Sequence, residues 1–179
     1  VYSFGSFLSD FGCHADRLKV PGIEASTGSL GHGIGLAVGI ALSFKIRKST
    51  RRVFTVIGDG ESNEGSVWEA VLVADSLDLN QLTIIYDNNM SHPRGLQIVD
   101  PAVKFRAFGC QVTEVDGHDV AALTKAYEAK ADRVHAIVAH TTKGCGCRDM
   151  VENHYAWHRR SPTQEEMICL LEELDASAI

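Results

Sequence analysis

The chain has 179 residues, 45% of them hydrophobic, with a formal net charge of −6 from 17 basic and 23 acidic side chains. That length and composition suit one domain with a sizeable core, and the mildly acidic balance argues against nucleic acid as a partner. No run approaches the ~18 apolar residues of a membrane span, and no signal-peptide pattern opens the chain.

Five cysteines, three of them (Cys13, Cys110, Cys169) standing singly, suit a reduced, cytoplasmic protein better than a disulfide scaffold. The first residue is Val1 rather than Met, so the chain reads as processed or trimmed.

A helix is predicted over 30–47, with a small apolar face of Gly31, Gly35, Ala37, Gly39 and Ala41. Each glycine weakens an exposed helix by about 1 kcal/mol relative to alanine, so close approach to another backbone or a ligand is expected in return. Arg47, Lys48, Arg51 and Arg52 cluster at its carboxyl end, where cations suit the helix dipole and solvent. The apolar run 53–57 reads as a strand buried on both faces. A helix over 65–77 follows, with Val67, Trp68, Val71, Leu72 and Leu79 as expected core.

Strands over 82–86, 111–115 and 134–140 complete the set. A helix over 119–131 has Asp119 as N-cap, and a last helix over 163–174 opens on a Thr163/Glu166 capping box. Strands alternating with helices imply an α/β fold: a mostly parallel sheet with helices on both faces. Such sheets bind ligands outside the carboxyl ends of their strands. Gly58-Asp59-Gly60, Asn88-Asn89, Gly117-His118 and Thr142-Lys143-Gly144 all fall at such ends.

Asp59 offers a carboxylate and Asn89 a neutral oxygen, the hard donors that Mg²⁺ prefers when it shares its shell with phosphate. Gly58 and Gly60 let a phosphate approach the backbone, and the Gly60 N–H can donate to it. Taken singly, a Gly-Asp-Gly turn and an Asn pair are common turn chemistry. Asn88 can brace the loop.

The segments STGSLGHGIGLAVGIAL, GDGESNEGSVWEA and IIYDNN, in this order, resemble the cofactor domain of transketolases, in particular the small subunit of split transketolases. The likeness runs from about residue 13 to 161. It implies a thiamin diphosphate (ThDP) diphosphate-binding domain spanning 1–179, without the amino-terminal stretch that carries two further family histidines. Asp59 and Asn89, with the carbonyl of Ser91, are similar to the ligands of a Mg²⁺ ion (or Ca²⁺ or Mn²⁺), and Gly58 and Gly60 to the diphosphate contacts. Leu30 corresponds to the leucine beside the aminopyrimidine, and Glu64 and Glu69 to acidic residues that line the subunit interface and link the cofactors.

His14 resembles the histidine that meets substrate hydroxyls, although the family's Gly-His-Pro reads Cys13-His14-Ala15 here. His158 resembles the histidine near the reacting carbon, and His32 faces the cofactor pocket or begins the helix. Cys145, Cys147, His154 and His158 are zinc-type ligands, but the C-x-C spacing is unusual and His158 has a better match. Residues 90–98 depart from the family pattern after the Asn pair.

The activity implied is transfer of a two-carbon ketol unit from a ketose to an aldose, a sugar or sugar phosphate. It requires a separate pyrimidine-domain (C-terminal) subunit in a heterotetramer, α2β2. A specialised biosynthetic carboligase, the α subunit of a 2-oxoacid dehydrogenase, and a non-catalytic assembly subunit that keeps the fold are the alternatives.

Overall fold

The computed structural model describes residues 3–91 and 95–176. The middle of the divergent 90–98 segment therefore lies outside the described residues. The elements follow as α1 (His32–Ile46), β1 (Val53–Gly58), α2 (Gly65–Ser76), β2 (Leu82–Asn88), α3 (Pro101–Ala107), β3 (Gln111–Asp116), α4 (Val120–Glu128), β4 (His135–His140), α5 (Arg148–Glu152) and α6 (Gln164–Ala176). Short 3₁₀ turns occupy Glu61–Asn63 and Ala156–His158. All pairings are parallel, in the order β1-β2-β4-β3.

Crossovers between parallel strands are right-handed, so the direction of each step decides which face its helix covers. The steps β1 to β2 and β2 to β3 run the same way and carry α2 and α3 to one face. The step back from β3 to β4 carries α4 to the other. On the first face Leu82, Ile84 and Tyr86 of β2 and Val138 of β4 pack under Ile34 of α1, Val67 and Val71 of α2, and Phe105 of α3. Each large side chain buried there contributes roughly 1.5–3 kcal/mol. On the second face Ile85 and Ile137 meet Ala126 of α4, with Val115 and Tyr127 alongside.

The expected caps are present. Asp119 Oδ1 accepts from Ala122 N at 2.9 Å. Thr163 N donates to Glu166 Oε2 at 2.8 Å while Glu166 N donates to Thr163 Oγ1 at 3.2 Å. Asp100 caps α3 in front of Pro101.

Three expectations fail. β1 is well buried on one face only: Phe54 is 48% and Val56 69% exposed, although Tyr127 of α4 meets the Phe54 ring edge-on at 6.2 Å between centroids. A continuous apolar run does not distinguish a covered second face from an open one. Leu72 is 54% exposed, lying on the side of α2 away from the sheet. Close approach holds at Gly31 alone among the glycines of the small face. Gly31 has φ +75°, and an added Cβ would fall 2.9 Å from Glu64 Cβ and closer still to Ser66 Oγ, whereas Gly35 and Gly39 have nothing within 4 Å.

Gly31→Ala should therefore destabilise the chain by about 1–3 kcal/mol through a left-handed alanine and the clash with α2. Gly35→Ala or Gly39→Ala should stabilise it by up to about 1 kcal/mol through helix propensity. Urea denaturation of the three variants separates these outcomes.

His135 opens β4 fully buried. Burial, with the nearby Arg52 charge, pushes its pKa below the ordinary 6.5. The folded chain then resists protonation while the unfolded chain takes up a proton, so stability is full above pH ~6.5 and falls as the pH drops below it. His135→Gln should flatten the pH dependence of the urea midpoint between pH ~6.5 and ~5. An unchanged slope would assign that dependence to other groups.

Candidate functional site

The ladder on both sides of β2 continues one step past the ends of β1 and β4. Asp59 N donates to Asp87 O at 3.1 Å, and on the other side of β2 Thr141 N donates to Asn88 O at 3.3 Å. The 3₁₀ turn after Gly60 is pinned from beneath. The Ser62 hydroxyl donates to Asp59 O and lies 3.2 Å from the Tyr86 hydroxyl, and Trp68 Nε1 donates to Ser62 O at 2.9 Å.

Asp59 Oδ1 accepts from Gly60 N at 2.7 Å. Asp59 Oδ2 is buried with no hydrogen-bond partner among the described residues. A buried, unsatisfied carboxylate oxygen is costly and marks a place for a cation or an unseen donor. Contrary to expectation, the Gly60 N–H is engaged by Asp59 and does not point free toward a ligand. Gly58 leaves open space beside the backbone, since an added Cβ would meet nothing within 4 Å.

Asn89 follows β2. Its Nδ2 donates to Asp87 Oδ2 at 2.6 Å, and its Oδ1 accepts from Ser91 N at 3.0 Å. Ser91 is buried, and Met90 between them adopts φ +53°, uncommon for a residue other than glycine. Asn88 braces the other face, 3.1 Å from His140 Nδ1. Burial raises the Tyr86 pKa, the Ser62 hydrogen bond lowers it in part, and the charges of Asp59 and Asp87 raise it further. The strand ends are therefore a locus of concentrated negative charge.

Two clefts flank this edge. One, of about 570 Å³, lies between the ends of β2 and β4 and is lined by Asn89, Met90, Thr141, Thr142, Lys143, His154 and Tyr155, among others. Lys143 Nζ donates to His158 Nδ1 at 2.7 Å, which places His158 beside this cleft. The other, of about 1290 Å³, runs from His14, Gly28, Leu30 and Glu61 down to Leu36, Ile40, Phe54 and Val56. His14 covers Gly28, where an added Cβ would come within 3.0 Å of His14 Cγ. Gly31 N donates to Glu61 Oε1 at 2.8 Å, tying the start of α1 to the 3₁₀ turn.

The structure thus brings Asp59, Asn89 and Ser91 to one edge, His14 beside Leu30, and His158 beside Lys143. Glu64 and Glu69 stand exposed at the start and on the outer face of α2, and His32 is exposed at the first position of α1, outside both cleft linings. Sequence reasoning misses Asp87, Thr141, Lys143 and Glu61 as site residues. Asp87 has a signal in the Asp-Asn-Asn run, and Thr141 and Lys143 in their place after a strand.

The zinc alternative fails on geometry. Cys147 is buried with its Sγ directed at Leu170 O at 3.6 Å, and Cys145 is exposed. Among the described residues no three His, Cys, Asp or Glu side chains converge on a metal position. The set of one carboxylate, one amide and one carbonyl needs no such trio. No helix among the described residues is long and apolar enough to cross a membrane.

Residues 1–173 match the model of the family described as "Transketolase, thiamine diphosphate binding domain". The chain is 38% identical over 168 residues to one of the subunits of the apulose-4-phosphate transketolase of Actinobacillus succinogenes, covering 90% of this chain and 60% of that protein. It is 35% identical over 171 residues to the 6-deoxy-6-sulfo-D-fructose transketolase subunit SqwG of a Clostridium species, covering 90% and 62%. The chain therefore spans less than two thirds of the length of these relatives. The transketolase from Leishmania mexicana superposes with a TM-score of 0.72 at 25% identity, over 97% of this chain and 32% of that one. A match running from the first residue into the last helix, on a parallel sheet of the same kind, settles the lineage: this chain belongs to the transketolase family, in its thiamine diphosphate binding domain.

Proposed function

We propose that this chain is the ThDP diphosphate-binding subunit of a transketolase-like carboligase, one domain over 1–179 that acts in the cytoplasm. It works in an α2β2 assembly with a separate pyrimidine-domain subunit. The observation that carries the reading is the buried Oδ2 of Asp59, without a hydrogen-bond partner among the described residues, at the sheet edge where Asn89 follows β2. Hard oxygen donors at a strand edge, one of them anionic and unsatisfied, fit Mg²⁺, with Ca²⁺ or Mn²⁺ as substitutes. A cation there removes the repulsion between Asp59 and a diphosphate.

Asp59, Asn89 and the Ser91 carbonyl hold the ion in this reading. Gly58 would leave room for the phosphate, and the Gly60 N–H, which donates to Asp59 here, lies beside it in the same turn. Leu30, exposed at the head of the larger cleft, packs against the aminopyrimidine, with His32 close by in the first turn of α1. Glu64 and Glu69, exposed in the single chain, meet the partner subunit, which supports assembly rather than a self-sufficient enzyme.

When bound, ThDP supplies the electron sink for cleaving and forming a carbon–carbon bond next to a carbonyl. His14 contacts substrate hydroxyls. His158, with Nδ1 accepting from Lys143, carries its own proton on Nε2 and can present it to a substrate oxygen. The two relatives described above are named for different sugars, so the substrates proposed are a class: a ketose donor and an aldose acceptor, free or phosphorylated.

Asp59→Ala should abolish Mg²⁺-dependent ThDP binding in titration calorimetry of the chain with its partner subunit. Unchanged affinity would sink the metal assignment. His158 lies in an exposed 3₁₀ turn with no buried residue, so its removal opens no core cavity. His158→Ala should lower kcat of the reconstituted complex by roughly a hundredfold with little change in Tm. Early unfolding with kcat per folded molecule intact would make the residue structural.

A further inference from the structure

An asparagine amide can face a cation with either end, and only its oxygen is a ligand. At Asn89 the choice is made by neighbours whose chemistry admits one answer. A carboxylate only accepts and a backbone N–H only donates. Asp87 Oδ2 at 2.6 Å therefore takes the amide nitrogen, and Ser91 N at 3.0 Å takes the oxygen. The oxygen retains a second lone pair for another partner.

Asp87 is itself held. Its Oδ1 accepts from the Thr141 hydroxyl on the loop after β4, and its carbonyl receives Asp59 N at 3.1 Å. One residue thus contacts both residues whose side chains are proposed for the ion, the amide of Asn89 through its carboxylate and the backbone of Asp59 through its carbonyl. Its own carboxylate is occupied on both oxygens.

We infer that Asp87 is a positioning residue for the cation: anchored by Thr141, it turns the Asn89 amide so that oxygen, not nitrogen, faces the ion. The inference rests on the metal reading above and adds to it. Residues that orient a ligand from behind typically cost about 10–100-fold in metal affinity when removed. A residue acting only by negative charge also lowers affinity when removed, so the test must separate orientation from charge.

Asn89→Asp does so, because a carboxylate presents oxygen whichever way it turns. The measurement is the Kd of Mn²⁺ for the chain with its partner subunit and ThDP, from the free-ion electron paramagnetic resonance signal, with Tm recorded for every variant. Asp87→Ala should weaken Mn²⁺ by roughly tenfold or more in the otherwise native chain, and by less than about twofold in the Asn89→Asp background.

The metal-free chain offers a second readout. The Asn89 side-chain NH₂ resonances, assigned by their loss in Asn89→Asp, should move markedly in Asp87→Ala. Equal losses of Mn²⁺ affinity in both backgrounds, or NH₂ resonances that stay in place, would overturn the orienting role. Mn²⁺ binding that is absent from the native chain, or that survives Asp59→Ala, would instead overturn the metal reading and this inference with it. Binding abolished by Asp59→Ala but left within about twofold by Asp87→Ala would overturn the inference alone.

Discussion

The parallel ladder between β1 and β2 runs one step beyond the end of β1, to the bond from the Asp59 N–H to the Asp87 carbonyl at 3.1 Å. Adjacent strands lie ~4.8 Å apart, so this single bond sets two carboxylate residues side by side at the sheet edge. Strand pairing beneath it, from Val53 with Leu82 to Gly58 with Asp87, fixes the register. A slip of one residue would send Asp87 to the opposite face. The first-face core under α1 and α2 makes such a slip expensive, because it would expose Leu82, Ile84 and Tyr86 together.

Two carboxylates brought to one sheet edge repel each other. The fold offsets this unevenly. Asp87 has hydrogen bonds from Asn89 and Thr141 to its two oxygens, while Asp59 has one from Gly60 and leaves its other oxygen buried and bare. The neutral Tyr86 phenol beneath, with its pKa raised chiefly by burial and further by both carboxylates, cannot neutralise them. An asymmetry of this kind, one carboxylate saturated and the other half-satisfied, is what separates a residue that supports a ligand from one that binds it.

The architecture was legible because β1, β2 and β4 are short, largely apolar runs ending in glycine, asparagine or a polar loop, β3 mixes valine with polar residues, and caps such as Asp119 and Thr163 are local. The positions of Asp59, Asn89 and Ser91 were legible because strand ends converge on one edge in any parallel sheet. What could not be read was tertiary. Phe54 and Val56 look like interior residues until packing shows their face only partly covered, with Tyr127 of α4 against Phe54. Leu72 lies within an apolar stretch of α2 and only packing decides its side. Gly60 N–H looks free in sequence, and only the Asp59 rotamer shows it engaged. Asp87 reads as one more residue in a turn until Thr141, more than fifty positions later, is found against it.

Support for the site is graded along the chain. Asp59 and Asn89 follow directly on strands whose first face is buried, and the backbone there is tied by ladder bonds on both sides of β2. The residues beside the smaller cleft hang from less. α5 contributes no buried residue, nor does the 3₁₀ turn that carries His158. His158 is held near Lys143, and Trp157 by Asp149 and by Arg160, whose guanidinium lies 3.7 Å from the indole centroid. Segments with few buried apolar contacts open at lower free energy than the core. A stiff edge suits a ligand group that must be placed the same way in every turnover, and a compliant rim suits groups that must admit and release a substrate.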